Sequence, residues 1–540
     1  MKQENVTPSF LNYTLTTPES DWIDATLSRM TLEEKVGQMI VPFAFGDFLN
    51  RNSAAYKRLY RLITHYKVGG IALFKGTILN YASLINEMQK LADIPLLISA
   101  DFERGMGMRL TDSVSFPYNM GIAATGDPEY AYKMGLAVSQ EMKALGVHQN
   151  YAPVADININ INNPVVNVRA YSEDKEVVAR FCSAFIRACN EEKILSTAKH
   201  FPGHGNTDID SHTELSPVYS GEEEYYERDF YPFRKAVEAG VSSIMTAHLD
   251  IPAITGKSGY PATVSEFVVK ELIRNRLNFD GLITTDAMTM FGISSSYSVG
   301  EGTVRTVLAG TDQILLPPDE AVAINALLRS IRAGVIPQES IDKSVRRILK
   351  AKIWTGAVAN NKVDISTLTA KINRPETIAL AREISSKALK VIMDDDLILP
   401  LDFSKKVSCI TIADSQAADL EVSFQNELNN RVSLFRKFIL DTKSSGDDYL
   451  KAMTIAENSD MLIIPLFIRI RAFQGTILYI PEQIEFVNRL TEKGIKFVLI
   501  CLGNPYAITR FKDLKCCINT FGDATIVQEA AARFIARTPV

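Results

Sequence analysis

The segment ILSTAKHFPGHGNTDIDSH (194–212) turns from an apolar run into a polar loop at Lys199 and His200. The run 194–201 has the content of a buried strand. Pro202, Gly203 and Gly205 then break regular structure, so the remainder of the segment reads as a loop. Outward from this segment the same pattern recurs. Seven further strand candidates lie at 37–45, 68–74, 95–101, 146–154, 241–249, 280–288 and 311–319. Between them, stretches such as 80–93 and 129–146 place apolar residues three and four apart and predict helices. Eight strands alternating with helices predict a (β/α)8 barrel. An open doubly wound sheet shares that periodicity. The polar residues favour the barrel. Asp101 ends strand 3, Asp156 follows strand 4, Lys199 and His200 end strand 5, His248 ends strand 6, and Asp286 lies near the end of strand 7. In a barrel those ends converge on one face, where active sites form.

At 540 residues the chain exceeds what one hydrophobic core sustains, and two or three domains are expected. The barrel is assigned to residues 1–356, ending with the helical stretch 341–356. The polar stretch 357–377 reads as a linker. Residues 378–540 read as a C-terminal α/β sandwich domain with a mostly parallel sheet. It opens with a helix over 376–392 and has strand candidates at 406–414, 461–471, 496–503 and 516–523. A composition of 46% hydrophobic and 22% charged residues is that of a soluble globular protein. The net charge of -5, without a long basic run, argues against nucleic acid or an acidic membrane surface as partner. No apolar stretch reaches the roughly 18 residues of a membrane span. The start MKQENVTPSF lacks the apolar centre of a signal peptide. This gives a cytoplasmic location on the sequence as it stands, and a periplasmic or extracellular one if an export signal has been removed. The six cysteines form no C-x-x-C pair and sit in apolar runs, which predicts buried thiols rather than a zinc site.

Three of the six histidines, His200, His204 and His212, fall within the quoted segment. Asp210 and His212 are two apart, so extended backbone points them the same way. A carboxylate there can accept an imidazole N–H, fix its tautomer and raise its basicity. An acid/base pair, a metal site and a solvated loop all remain open on these residues alone. In GLITTDAMTM (281–290), Asp286 suits a nucleophile or general base at a strand end, or a cap on the next helix. In SADFERGMGMR (99–109), carboxylates and arginines suit either the grip of sugar hydroxyls or a structural ion-pair cluster. Arg169 is either a further clamp or a solvated side chain.

TLEEKVGQM (31–39), DFERG (101–105), KHFPGHGNTDIDSH (199–212), MTAH (245–248) and TDAM (285–288) together resemble glycoside hydrolase family 3. The loop carrying Asp-x-His is similar to the β-N-acetylglucosaminidase branch of that family. The second domain resembles two-domain members in IRIRAFQGT (468–476) and LGNPY (502–506). The resemblance implies a retaining, exo-acting β-N-acetylglucosaminidase. Its substrates would be oligosaccharides or muropeptides ending in N-acetylglucosamine, and no metal or organic cofactor would be needed. It implies Asp286 as nucleophile, His212 as acid/base and Asp210 as the partner of His212. Asp101, Arg109, Arg169, Lys199 and His200 match positions that hold sugar hydroxyls, and His248 lies close by. The chain departs from the family's D-x-E-G-G-R pattern at Arg104, which replaces a glycine, and at Met106, which replaces an arginine. Ala170-Tyr171 stands where Ser-Phe is common, and Asn206 where aspartate is frequent. The strand-3 changes bear on the shape beyond the first sugar subsite. Three rival readings are a family-3 β-glucosidase, a phosphorylase of the same branch, and a sugar-binding protein on an inactive scaffold. The natural leaving group, the role of the second domain and the oligomeric state stay open.

Overall fold

The structure, a computed structural model, describes residues 8–47, 49–218, 220–415, 422–470 and 477–536. The chain start at 1–7 and most of the motif IRIRAFQGT (its residues 471–476) lie outside them.

The first unit contains eight strands at the expected places. They are β1 (Ile40–Val41, continued as Phe43–Gly46), β2 (Gly70–Gly76), β3 (Leu97–Ala100), β4 (Gln149–Asn150), β5 (Leu195–Phe201), β6 (Ser243–Thr246), β7 (Leu282–Thr285) and β8 (Ile314–Leu315). Each pairs in parallel with the next, from β1 to β7. Thr284 then bridges to Gln313 at β8, and Ile40 and Val41 of β1 register with Ile314 and Leu315. That last pairing closes the ring and separates the barrel from an open doubly wound sheet. Every residue of β3, β5, β6 and β7 is buried, as strands covered on both faces require. The covering helices are amphipathic. In Lys175–Glu191 the residues Val178, Phe181, Cys182, Phe185, Ile186 and Cys189 are buried, three and four apart. Asp174 caps that helix by accepting the N–H groups of Glu176 and Val177.

The polar stretch after the barrel contains the helix Leu368–Lys371 and leads into Pro375–Ala388. Val363, Leu368, Ile372, Ala381 and Ile384 are buried with the barrel's own core. The helix predicted over 376–392 ends at Ala388, and Lys390–Asp394 is a strand instead, β9. The β-branched Val391 and Ile392 favour extended backbone where the periodicity had suggested helix. The other strands are β10 (Val407–Ala413), β11 (Lys437–Leu440), β12 (Met461–Ile468), β13 (Phe497–Gly503) and β14 (Cys516–Asn519). Their order is β9-β14-β13-β12-β10-β11, with only the β9–β14 pairing antiparallel. Alternate residues feed two apolar layers. Cys409, Ile463 and Val498 pack on one face, and Ile410, Leu462 and Leu499 on the other. This is the α/β sandwich expected from the sequence. All six cysteines are buried.

The second unit rests on the barrel's C-terminal mouth. The Tyr506 hydroxyl donates to Glu173 at 2.6 Å and accepts from Asn158 at 3.2 Å. Arg510 donates to Asn162 at 2.6 Å, and the Tyr118 N–H donates to the Phe521 carbonyl at 3.1 Å. Among the described residues no helix is long and apolar enough to cross a membrane.

Candidate active site

A cavity of about 310 Å³ opens at the C-terminal ends of the barrel strands. Ala72, Tyr151, Met245, Leu315 and Leu316 form its floor and also pack together as a small apolar cluster inside the ring. The Tyr151 hydroxyl donates to Ser99 Oγ at 2.9 Å, which fixes the ring in that floor. A polar pocket over a dry floor presents its charges in a medium where they act strongly.

One wall is a chain of ion pairs. Asp101, just past β3, accepts from Arg109 at 2.5 Å and from Lys199 at 2.7 Å. Glu103, two residues on, accepts from Arg169 through both Nε (3.0 Å) and Nη2 (2.6 Å), and from Lys199 at 2.7 Å. Burial would raise both carboxyls. The Lys199 and Arg109 cations instead hold Asp101 at about 2, and Arg169 with Lys199 holds Glu103 well below the usual range. Burial pulls Lys199 down, but Asp101 and Glu103 outweigh it and the ammonium is favoured. The Arg109 guanidinium also lies 4.8 Å from the Phe74 ring centroid.

The histidines of the quoted segment serve three separate ends. His200 donates from Nδ1 to Asp156 at 2.7 Å, and its own N–H and that of His204 also point at this carboxylate. Burial opposes the charge on Asp156, yet His200, His204 and these N–H groups keep its pKa low. His204 is buried between Thr207 Oγ1 (3.0 Å) and Ser211 Oγ (2.8 Å), so it staples the loop to itself. Burial holds its pKa near 4, which leaves the ring neutral. A side chain at Gly205 would strike the Ile157 carbonyl, so only glycine lets the loop lie this close to the chain after β4. His212 stands over the cavity. Its Nδ1 donates to Asp210 Oδ1 at 2.7 Å, and its backbone N–H donates to the same oxygen at 2.9 Å. Asp210 is fully buried, while the His212 side chain keeps 19% exposure.

Asp286 completes the opposite wall. Its N–H donates to the Thr246 carbonyl at 2.9 Å, continuing the β6–β7 pairing to the strand end. Its Oδ1 accepts the Ala287 N–H at 2.7 Å. Burial pushes the carboxyl up, and the neighbouring His200, His248 and His212, with that N–H, bring it below its ordinary value. The dyad loop docks on the turn after Asp286. The Phe291 and Gly292 N–H groups donate to the His212 and Ser211 carbonyls at 3.4 and 3.3 Å.

Seven of the residues singled out in the sequence line the cavity: Asp101, Arg109, Arg169, Lys199, His200, His212 and Asp286. Asp210 and His248 do not. Asp210 lies behind His212. His248 is fully buried, with Nε2 donating to the Ala287 carbonyl at 3.1 Å and Nδ1 beside Thr263 Oγ1 at 2.9 Å. It thus braces the backbone beside Asp286. The sequence took Glu103 and Arg104 only as part of the 99–109 cluster, and assigned no site role to Asp156 or to Ile470, the second unit's contribution to the wall. Glu103 and Asp156 carried a signal, since both are acids at strand ends on the active face. Ile470 carried none.

The arrangement has a known counterpart. The family model for the glycosyl hydrolase family 3 N terminal domain matches residues 31–351. This chain belongs to glycoside hydrolase family 3. Its barrel is the part the family model matches, and the protein is a glycoside hydrolase. A family relative from Pseudoalteromonas piscicida, named beta-hexosaminidase A, is 32% identical over 413 residues, which are 70% of this chain and 68% of that protein. A Cellulomonas fimi protein named beta-N-acetylglucosaminidase/beta-glucosidase is 25% identical over 535 residues, 94% of this chain and 92% of its own. The solved family 3 beta-N-acetylglucosaminidase from Paenibacillus sp. str. FPU-7 superposes with a TM-score of 0.84 at 29% identity, covering 94% of this chain and 97% of that one. Both units therefore have the family's two-domain architecture.

Proposed function

We propose that this family 3 enzyme is a retaining exo-β-N-acetylglucosaminidase with Asp286 as nucleophile and the Asp210–His212 dyad as acid and base. The observation that carries the reading is the dyad, paired at 2.7 Å, opening on the same cavity as Asp286. In the first step the Asp286 carboxylate attacks the anomeric carbon as the glycosidic C–O bond breaks, and protonated His212 gives its proton to the leaving oxygen. In the second, neutral His212 takes a proton from water, whose oxygen attacks the same carbon and releases Asp286. Two displacements restore the configuration. Most retaining enzymes assign these jobs to two carboxylates. An imidazole that changes charge near neutral pH can act as acid and then as base. Asp210, accepting the Nδ1–H, fixes the ring so that Nε2 carries the transferred proton. The Asp101–Arg109–Lys199 array offers acceptors and donors that keep their charge while gripping sugar hydroxyls. A floored cavity of this size supports exo action on one terminal sugar, and names borne by relatives support N-acetylglucosamine as that sugar. Peptidoglycan fragments ending in it are the proposed natural substrates.

The test compares aryl β-N-acetylglucosaminide with aryl β-glucoside in phosphate-free buffer. Faster release from the first supports the reading. Preference for the glucoside overturns the dyad assignment and directs the search to a carboxylic acid outside the barrel. Release that requires added phosphate identifies a phosphorylase instead.

A further inference from the structure

Arg104 is the cation of this cavity that the catalytic reading leaves without work. Arg109, Arg169 and Lys199 each meet a carboxylate. Arg104 lines the same cavity, and among the described residues its guanidinium has neither an ion pair nor a hydrogen bond. Its Nε is buried without a partner. The group is nevertheless held in place, stacked 4.3 Å from the centroid of the Tyr118 ring. Tyr118 in turn is tied by its N–H to Phe521 of the second unit, so the pair stands where the two units meet. Burial works against the charge of this guanidinium, and Tyr118, Asp523 and Glu103 outweigh it without an ion pair or hydrogen bond to the group, so the planar fork stays charged and open to two oxygens of a carboxylate or phosphate.

We propose that Arg104 is a specificity-determining residue that recognises an oxyanion, carboxylate or phosphate, beyond the sugar gripped by Asp101, Arg109 and Lys199. The proposal rests on the glycosidase reading of the same cavity. Two sources could present that group: a carboxylate on the leaving part of the substrate, or free inorganic phosphate. The full chain is assayed with matched aryl β-N-acetylglucosaminides whose aryl ring bears either a carboxylate or a neutral carboxamide. Inorganic phosphate binding is measured by calorimetry in parallel. The wild type should favour the carboxylate in kcat/KM by roughly tenfold. That ratio should fall toward one in Arg104→Gln and be partly kept in Arg104→Lys, which also controls for folding. If the ratio is flat but phosphate binds the wild type and is lost in Arg104→Gln, the oxyanion is free phosphate. A carboxylate ratio and a phosphate affinity both unmoved by the two variants overturn the proposal. Failure of the wild type to cleave even the neutral glycoside would count against the glycosidase reading instead, and the phosphate titration would still report on Arg104.

Discussion

The two walls of the cavity handle charge in opposite ways. On the wall built from the ends of β3 and β5, Asp101 and Glu103 are each shared between two fixed cations, with Lys199 common to both. On the wall at the end of β7, Asp286 faces His200, His248 and His212, and among the described residues no lysine or arginine pairs with it. Fixed ion pairs keep their charge over a wide pH range and suit a grip that must not react. Imidazoles can change charge during a turnover. On the proposed mechanism, the grip sits at the ends of β3 and β5, while the chemistry joins Asp286 after β7 to His212 on the loop that follows β5.

The strongest test of this division is Asp286→Asn. It should lower kcat by something on the order of 10⁴-fold while N-acetylglucosamine still binds, because the gripping wall is untouched. Steady-state kinetics with a product titration checks both halves, and weakened product binding alongside the lost rate would break the division. Lys199→Ala should act on the other wall, through stability. Removing the shared cation leaves Asp101 with Arg109 alone and Glu103 with Arg169 alone, at a cost toward the low end of the range for a broken buried pair, about 3 kcal/mol in denaturant unfolding. The sign with pH comes from Asp101, lowered from 3.8 to about 2. Its stabilising share is complete above the unfolded value and is lost as pH falls toward 2, so the variant should show a flatter acid limb. Asp210→Asn should lower kcat by about 10²-fold for poor leaving groups and less for activated aryl ones. An equal loss for both would mean that the dyad does not deliver the leaving-group proton.

Glu141 sharpens the comparison from outside the cavity. It is buried on the helix Glu129–Ala144, and its carboxylate accepts the Asn373 N–H at 3.0 Å. Burial here outweighs that hydrogen bond and the pull of Arg374, and raises the carboxyl to about 7. A raised carboxyl contributes stability below about 4.5 that is lost as pH rises through 7. Glu141→Gln should therefore gain about 1–2 kcal/mol at pH 8 and nothing at pH 4, as thermal unfolding at the two pH values would show. Equal effects at both would remove the contrast with Asp101, where cations decide the same contest in favour of charge.

The barrel was legible because its signal is local. Each strand from β1 to β8 is an apolar run bounded by helical periodicity, and strand-end polar residues marked the active face. The second sheet was legible in four of its six strands. The strand Lys437–Leu440 is too short to stand out from a loop, and Lys390–Asp394 was absorbed into the preceding helical pattern. In the site, Asp210 and His212 were readable as a pair from a spacing of two. Asp156 was not readable as the partner of His200, since 44 residues separate them in the chain.

By itself, then, the sequence determined which segments become strands, in what alternation, and which chemical groups stand at their ends. Periodicity and residue type are properties of a few neighbouring residues, so they survive without knowledge of the fold. Only the tertiary structure decided the pairings: Lys199 between Asp101 and Glu103, Asp156 under His200, His248 behind Asp286, and Arg104 left with open donors. Those depend on ring closure and on the second unit resting at the mouth, which bring the ends of β3, β5 and β7 within hydrogen-bonding reach of a single cavity.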